Sequence, residues 1–169
     1  MNNIKQDVSA AERRRFDSLI SSITYDGKLM TLGHLLEWAA NKYGDRIAII
    51  CRDQQISYKH LFARACMFSQ LLQEKGVKPG DSVLVWLENS IEFYIAYFGV
   101  LQIGAIVAPL NVYLTERELN HIVKDADAKM IVTAKSFLER LKDIKTNIQV
   151  LLKDDVIDLN APITKQSCT

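Results

Sequence analysis

Residues 82–110 read SVLVWLENSIEFYIAYFGVLQIGAIVAPL. Ser82–Leu87 is a continuous apolar run between turn residues, the pattern of a strand covered on both faces. Ser90 then supplies an oxygen for a helix N-cap, and Glu92 sets a carboxylate on the positive end of the helix dipole. The helix predicted from these signals runs over Ile91–Ile103, stops at Gly104, and passes into a short strand, Ala105–Leu110. The same residues pose an alternative. Phe93–Leu110 is eighteen residues with only Gln102 plainly polar, close to the length of about 20 that a membrane-spanning helix needs. Gly104 and Pro109 interrupt that run, the cap signals sit at its start, and no Lys or Arg flanks it closely. A nearly all-apolar helix followed by an apolar strand belongs to the interior of an α/β protein, so no integral membrane span is expected.

Outward from this centre, helices and strands alternate. Upstream, Thr31 caps a helix to about Tyr43, with Leu32, Leu35, Leu36, Ala39 and Tyr43 on one face. Ile47–Cys51 and the run resuming at Ile56 suggest a small hairpin whose turn lacks glycine. Ser57 caps a long helix, Tyr58–Lys75, ended by Gly76 and then Pro79. Downstream, Thr115 and Glu118 form a capping box before a helix whose apolar face carries Leu119, Ile122, Val123 and Ala126. Lys129–Thr133 reads as a strand, Ser136–Lys145 as a helix, and Ile148–Leu152 as a last strand. Four strands alternating with helices require crossover connections. The fold class is therefore α/β: a parallel sheet with helices on both faces, preceded by a helix and a small β-hairpin. The expected divisions are a leader over 1–28, partly helical or disordered, the α/β unit over 29–152, and a linker or tail over 153–169.

Composition narrows the classes of function. The chain has 169 residues, 49% hydrophobic and 24% charged, with seven glycines and three prolines, which excludes collagen-like and wholly disordered chains. A balance of 21 basic against 20 acidic residues gives a net charge of +1, no basis for a nucleic-acid partner. Three widely spaced cysteines, Cys51, Cys66 and Cys168, do not make an even, dense disulfide set, and the first 23 residues carry no secretory apolar run, so a cytoplasmic location is expected.

The search for chemistry is less productive. A phosphate loop needs clustered glycines whose amides can approach an anion. The only close pair, Gly76 and Gly80, brackets Pro79, which has no amide donor, and precedes Asp81, which repels phosphate, so the segment reads as a turn. His34, His60 and His121 are scattered, without a metal-ligand pattern, and no metal site or nucleophile signature occurs. No catalytic or cofactor-binding residue is assigned. Ligands of open parallel sheets bind beyond the carboxyl ends of the strands. Those ends carry Glu88-Asn89, Asn111-Val112-Tyr113 and Thr133-Ala134-Lys135, and the candidate ligand-side residues are Asn89 and Asn111.

Six segments in order along Thr31–Ala134 then carry a family resemblance. Asp45-Arg46-Ile47-Ala48-Ile49 resembles a first strand, and Ile56-Ser57-Tyr58-Lys59-His60-Leu61 a motif L-[ST]-Y-x-E-L. Gly76–Val83 is similar to G-V-K-P-G-D-x-V, and Asn89–Phe93 to N-S-x-E-F. Leu101–Asn111 resembles L-K-x-G-A-x-x-x-P-L-N, and Leu114–Leu119 resembles L-[ST]-x-x-E-L. Together they resemble the N-terminal part of the acyl-adenylate-forming ligases, most of all the acyl-CoA synthetases. His60 and Gln102 depart from the acidic residue and the lysine usual at those places; both lie in structural motifs. The resemblance implies a carboxylate that attacks the α-phosphorus of Mg-ATP, giving an acyl adenylate, and a thiol, commonly that of coenzyme A, that displaces AMP. It also implies a Ser/Thr/Gly-rich loop and lysines that this sequence lacks. The expectation is a catalytically incomplete N-terminal fragment of a carboxylic acid–CoA ligase, with a fatty acid as substrate and the missing C-terminal remainder as partner. ATP, Mg and coenzyme A belong to the full-length enzyme. The competing expectation is a free-standing, non-catalytic α/β binding or interaction domain.

Overall fold

The computed structural model describes residues 24–25, 28–29, 31–142 and 148–156. Within the leader expected over 1–28, β1 (Thr24–Tyr25) and β2 (Lys28–Leu29) form a minimal antiparallel pair, and the rest lies outside the described residues. Then follow α1 (Leu32–Tyr43), the hairpin strands β3 (Ile47–Cys51) and β4 (Gln54–Ser57), and α2 (Tyr58–Glu74). The main sheet comes next: β5 (Ser82–Trp86), α3 (Ile91–Gln102), β6 (Ile106–Pro109), α4 (Glu116–Asp125), β7 (Ala128–Thr133), a 3-10 helix (Lys135–Leu141) and β8 (Gln149–Leu152). One helical turn, α5 (Lys153–Val156), follows; the remainder of the expected tail lies outside the described residues.

The four strands of the main sheet are all parallel, in the order β6-β5-β7-β8. The chain first steps from β5 to β6 at one edge, then returns past β5 to β7. Right-handed crossovers in opposite directions put their helices on opposite faces, and the core is split accordingly. Val83, Val85 and Leu87 pack with Met130, Val132 and Leu151 beneath α2 and α3. Leu84, Trp86 and Ile131 pack beneath Leu119 and Val123 of α4, with Phe137 and Leu141 alongside. The alternation along β5 is why a continuous apolar run was needed there: each face of the strand has its own helices.

The caps fall at the predicted residues. The side-chain oxygens of Thr31, Ser57, Ser90 and Thr115 accept the amides of His34, His60, Phe93 and Glu118, and Thr115 with Glu118 forms the full capping box. Gly104, at φ +70, closes α3 in the left-handed region. The hairpin turn does without glycine because Arg52 takes φ 54, an uncommon conformation for a residue with a Cβ.

Two expectations are corrected. The predicted buried face of α1 is rotated: Leu36 and Ala39 are buried, but Leu32 is 55% and Leu35 37% exposed. The cause is a backbone contact with α3. A Cβ on Gly33 would lie 2.8 Å from the Leu101 carbonyl oxygen, and Gln102 Nε2 donates to the Gly33 carbonyl at 2.9 Å, so α1 approaches through Gly33. The helix predicted over Ser136–Lys145 is a 3-10 helix over Lys135–Leu141, and residues 143–147 lie outside the described residues. Ala134 occupies the cap position, where it has no oxygen to offer, and the Lys135 amide donates instead to Asp154 Oδ2 at 3.4 Å. No helix among the described residues is long and apolar enough to cross a membrane.

Candidate functional site

Connections leave β5 toward β6 and β7 toward β8, in opposite directions. The carboxyl ends of β5 and β7 are therefore the switch point of the sheet, where a crevice opens because no connecting segment covers it. A cleft of about 540 Å³ lies there. Its walls are the loop after β5 (Glu88, Asn89, Ser90), the start of α3 (Glu92), the loop after β7 (Ala134, Lys135, Ser136), the residues after β8 (Lys153, Asp154) and the hairpin turn (Cys51, Arg52, Gln54).

Charge in the cleft is arranged in pairs. Lys153 Nζ and Glu92 Oε1 are 2.9 Å apart, with side chains only 23% and 16% exposed, whereas Arg52 and Glu88 meet at 3.7 Å in the open and contribute little. Burial pushes the Glu92 carboxyl up. Its own backbone amide, the hydrogen bond and charge of Lys153, and the Ser90 hydroxyl outweigh this and hold it below its ordinary 4.5. A carboxylate with a lowered folded-state pKa stabilises the fold above its ordinary value, and that contribution is lost as pH falls through the lowered one. The stability difference between the parent chain and Glu92→Gln should therefore be full at neutral pH and shrink below about pH 4.5. Denaturant midpoints of both chains in a pH series would check this; a difference independent of pH would contradict it.

Asn89 and Asn111 are separated by the topology. Asn89 lies exposed at the cleft, its carbonyl accepting from Cys51 Sγ at 3.6 Å. Asn111 follows β6, outside the cleft lining, and its Oδ1 accepts the Tyr113 amide at 2.9 Å, an Asx turn. Its loop is held from below. Trp86 Nε1 donates to the Asn111 carbonyl at 3.1 Å, and the Arg140 guanidinium, 4.6 Å from the centre of the Trp86 ring, donates to the carbonyls of Val112 and Leu114. Lys135 was visible in the sequence as a strand-end residue. Arg52 and Lys153 were not assigned to the site, because they reach it only through the hairpin and the strand order; Glu92 was read as a helix-dipole residue, its pairing with Lys153 lying 61 positions away. Among the described residues, no group of three or more His, Cys, Asp or Glu is placed to hold a metal ion.

The family pattern described as AMP-binding enzyme matches residues 36–167, most of the chain. The chain belongs to the AMP-binding enzyme family. Among its relatives, bacitracin synthase 2 of Bacillus licheniformis is 33% identical over 68% of this chain and 4% of its own length. The long-chain-fatty-acid–CoA ligase of Salmonella typhimurium is 32% identical over 72% of this chain and 22% of its own. In structure, the N-terminal subdomain of Klebsiella oxytoca NpsA, in complex with 3-hydroxybenzoyl-AMSN, aligns at a TM-score of 0.68 and 23% identity. That alignment takes in 80% of this chain and 32% of the other. The chain thus spans less than a quarter of either curated relative and about a third of the solved subdomain.

The fold is accordingly that of a part of the N-terminal subdomain of an adenylate-forming ligase. The glycine turn over Gly76–Gly80 can be tested against a phosphate group. The Lys78 amide donates to Asp81 Oδ2 at 2.8 Å, the Gly80 amide to the Gly104 carbonyl, and the Gly76 amide to the Gln73 carbonyl. Each of these donors is satisfied within the chain and a carboxylate stands among them, so this turn does not fit a phosphate group.

Proposed function

We propose that this chain is the N-terminal part of an ATP-dependent carboxylic acid–CoA ligase that makes a thioester by way of an acyl adenylate. A fatty acid is the proposed substrate. The observation carrying this reading is the family match over residues 36–167, combined with the chain's spanning 22% of a fatty-acid–CoA ligase. The likeness to the Salmonella ligase supports a fatty acid, and the equal likeness to a peptide synthetase makes an amino acid the alternative that the exchange assay separates. The supply of ATP and coenzyme A supports a cytoplasmic location. Within the proposed enzyme, the switch-point cleft is the ligand side, Asn89 faces it, and Asn111 shapes the neighbouring loop.

Surface apolarity supports a further protein layer. An apolar groove of about 560 Å³ runs between α1, the hairpin and α3, lined by Leu35, Trp38, Tyr58, Tyr94 and Phe98, and Ile50 on its rim is 74% exposed. Covering such a surface is the task of the proposed C-terminal remainder.

The experiment is carboxylate-dependent ATP–pyrophosphate exchange, run on the 169-residue chain and on the protein encoded by its continued reading frame. The 169-residue chain should give no exchange and should bind an apolar-surface dye. The longer protein should exchange with fatty acids and, on adding coenzyme A, form the thioester. Exchange by the 169-residue chain alone would refute its incompleteness, and amino acids as the preferred substrates would refute the fatty-acid assignment. A stop codon after Thr169 and a chain that neither exchanges nor binds the dye would favour the free-standing domain.

A further inference from the structure

We infer that Glu92 and Lys153 form a latch that sets the path of the chain as it leaves the sheet. The two residues are 61 positions apart in sequence, one in the first turn of α3 and the other directly after β8. β7 lies between β8 and β5, so the Lys153 side chain crosses the carboxyl edge of the sheet to reach α3. A second contact works in the same place: Asp154 Oδ2 accepts the Lys135 amide, the first of the 3-10 helix. Residues 153 and 154 are thus tied to the segments following both β5 and β7, and they wall the switch-point cleft.

The two partners are not equivalent. The positive end of the α3 dipole repels an ammonium and attracts a carboxylate. Lys153 is held at this helix end chiefly by Glu92 at 2.9 Å, with Asp154 Oδ1 a more distant partner at 3.9 Å. Glu92 keeps its own backbone amide and the Ser90 hydroxyl without Lys153. Removing the acid should free the base, whereas removing the base should leave the acid in place. This asymmetry distinguishes a latch from an interchangeable surface ion pair.

Its consequence for chemistry rests on the proposed ligase reading. There, the switch-point cleft is the ligand side, and the latch fixes the part of its wall formed by the start of α3 and the residues after β8. Glu92 and Lys153 are then positioning residues for triphosphate binding.

The test uses Glu92→Gln, Lys153→Met and Lys153→Arg in the 169-residue chain, read by amide hydrogen exchange. Glu92→Gln should speed exchange roughly tenfold at Leu152–Asp154 and at Lys135, with the β5 and β7 core unchanged. Lys153→Met breaks the same tie and should also speed exchange, by a smaller factor because no unpaired ammonium is left at the positive helix end, and Lys153→Arg, which keeps the pair, should hardly change it. Unchanged exchange in either Glu92→Gln or Lys153→Met, or acceleration throughout the core, would overturn the latch. In the longer protein, Glu92→Gln should raise KM for Mg-ATP more than it lowers kcat, and an equal loss in kcat alone would overturn the positioning role. Absence of any adenylation by the parent long protein would refute the ligase reading, and the exchange result in the short chain would still stand.

Discussion

Gly99→Val should cost about 3 kcal/mol or more of folding stability, at the upper end of what overpacking a core produces. Gly99 lies where α3 crosses α2. A Cβ there would come within 2.7 Å of Phe68 Cδ1, 3.0 Å of the Ala65 carbonyl oxygen and 3.2 Å of Phe68 Cβ. The Phe68 ring cannot easily retreat, since it is buried among Leu72, Ile95 and Val100. The carbonyl belongs to the backbone of α2 and moves only with the helix. Alanine at the same position meets the same atoms, but it gains about 1 kcal/mol of helix propensity over glycine and carries no branch, so its net loss should be smaller. Denaturant unfolding of the pair measures the ordering. If the valine chain matched the parent within about 0.5 kcal/mol, the spread typical of uninvolved surface sites, the helices would not be in contact at Gly99.

The same crossing shows how far the sequence could be read. The α/β order, the four caps and both strands around α3 were legible because each depends on residues within one or two turns of each other. Ser90 caps Phe93 three positions on, and the apolar run of β5 reports burial on both faces without knowledge of what does the burying. The rotation of α1 was not legible. It follows from Gly33 meeting Leu101, a contact spanning nearly seventy residues and made by an absent side chain. The 3-10 helix after β7 was not legible either: its cap position holds Ala134, and the oxygen that takes the Lys135 amide, Asp154 Oδ2, comes from beyond β8. For the site, the strand-end rule identified Asn89 and Asn111 alike. Only the order β6-β5-β7-β8 separates them, because it puts the switch point between β5 and β7 and leaves β6 at an edge. Strand order is set by which faces the crossover helices can cover, which is a property of the assembled layers.

Trp86→Ala should be the most damaging single truncation on the other face of the sheet, by about 3–5 kcal/mol. Trp86 is fully buried, and its ring packs at 4.8 Å from that of Phe137 and under the Arg140 guanidinium. Truncation empties the space between β5, α4 and the 3-10 helix that Leu84, Leu119 and Ile131 also border, and Leu84 and Ile131 are held by the sheet and cannot collapse into it. A second effect is local. The Asn111 carbonyl loses its indole donor, and Arg140 loses the surface that holds its guanidinium beneath the Val112 and Leu114 carbonyls. The loop after β6 should then exchange its amides faster than β7 does, although β7 lies nearer the cavity. Trp86→Phe shifts the balance between the two effects, since it keeps a ring in the core while removing the N–H and part of the indole volume. It should cost less in global stability, with the hydrogen bond worth about 1 kcal/mol, and still accelerate exchange at Val112–Leu114. If Trp86→Phe left that loop as protected as in the parent, the indole would be a packing residue alone, and the shape of the loop would have to come from Arg140 and the Asx turn of Asn111.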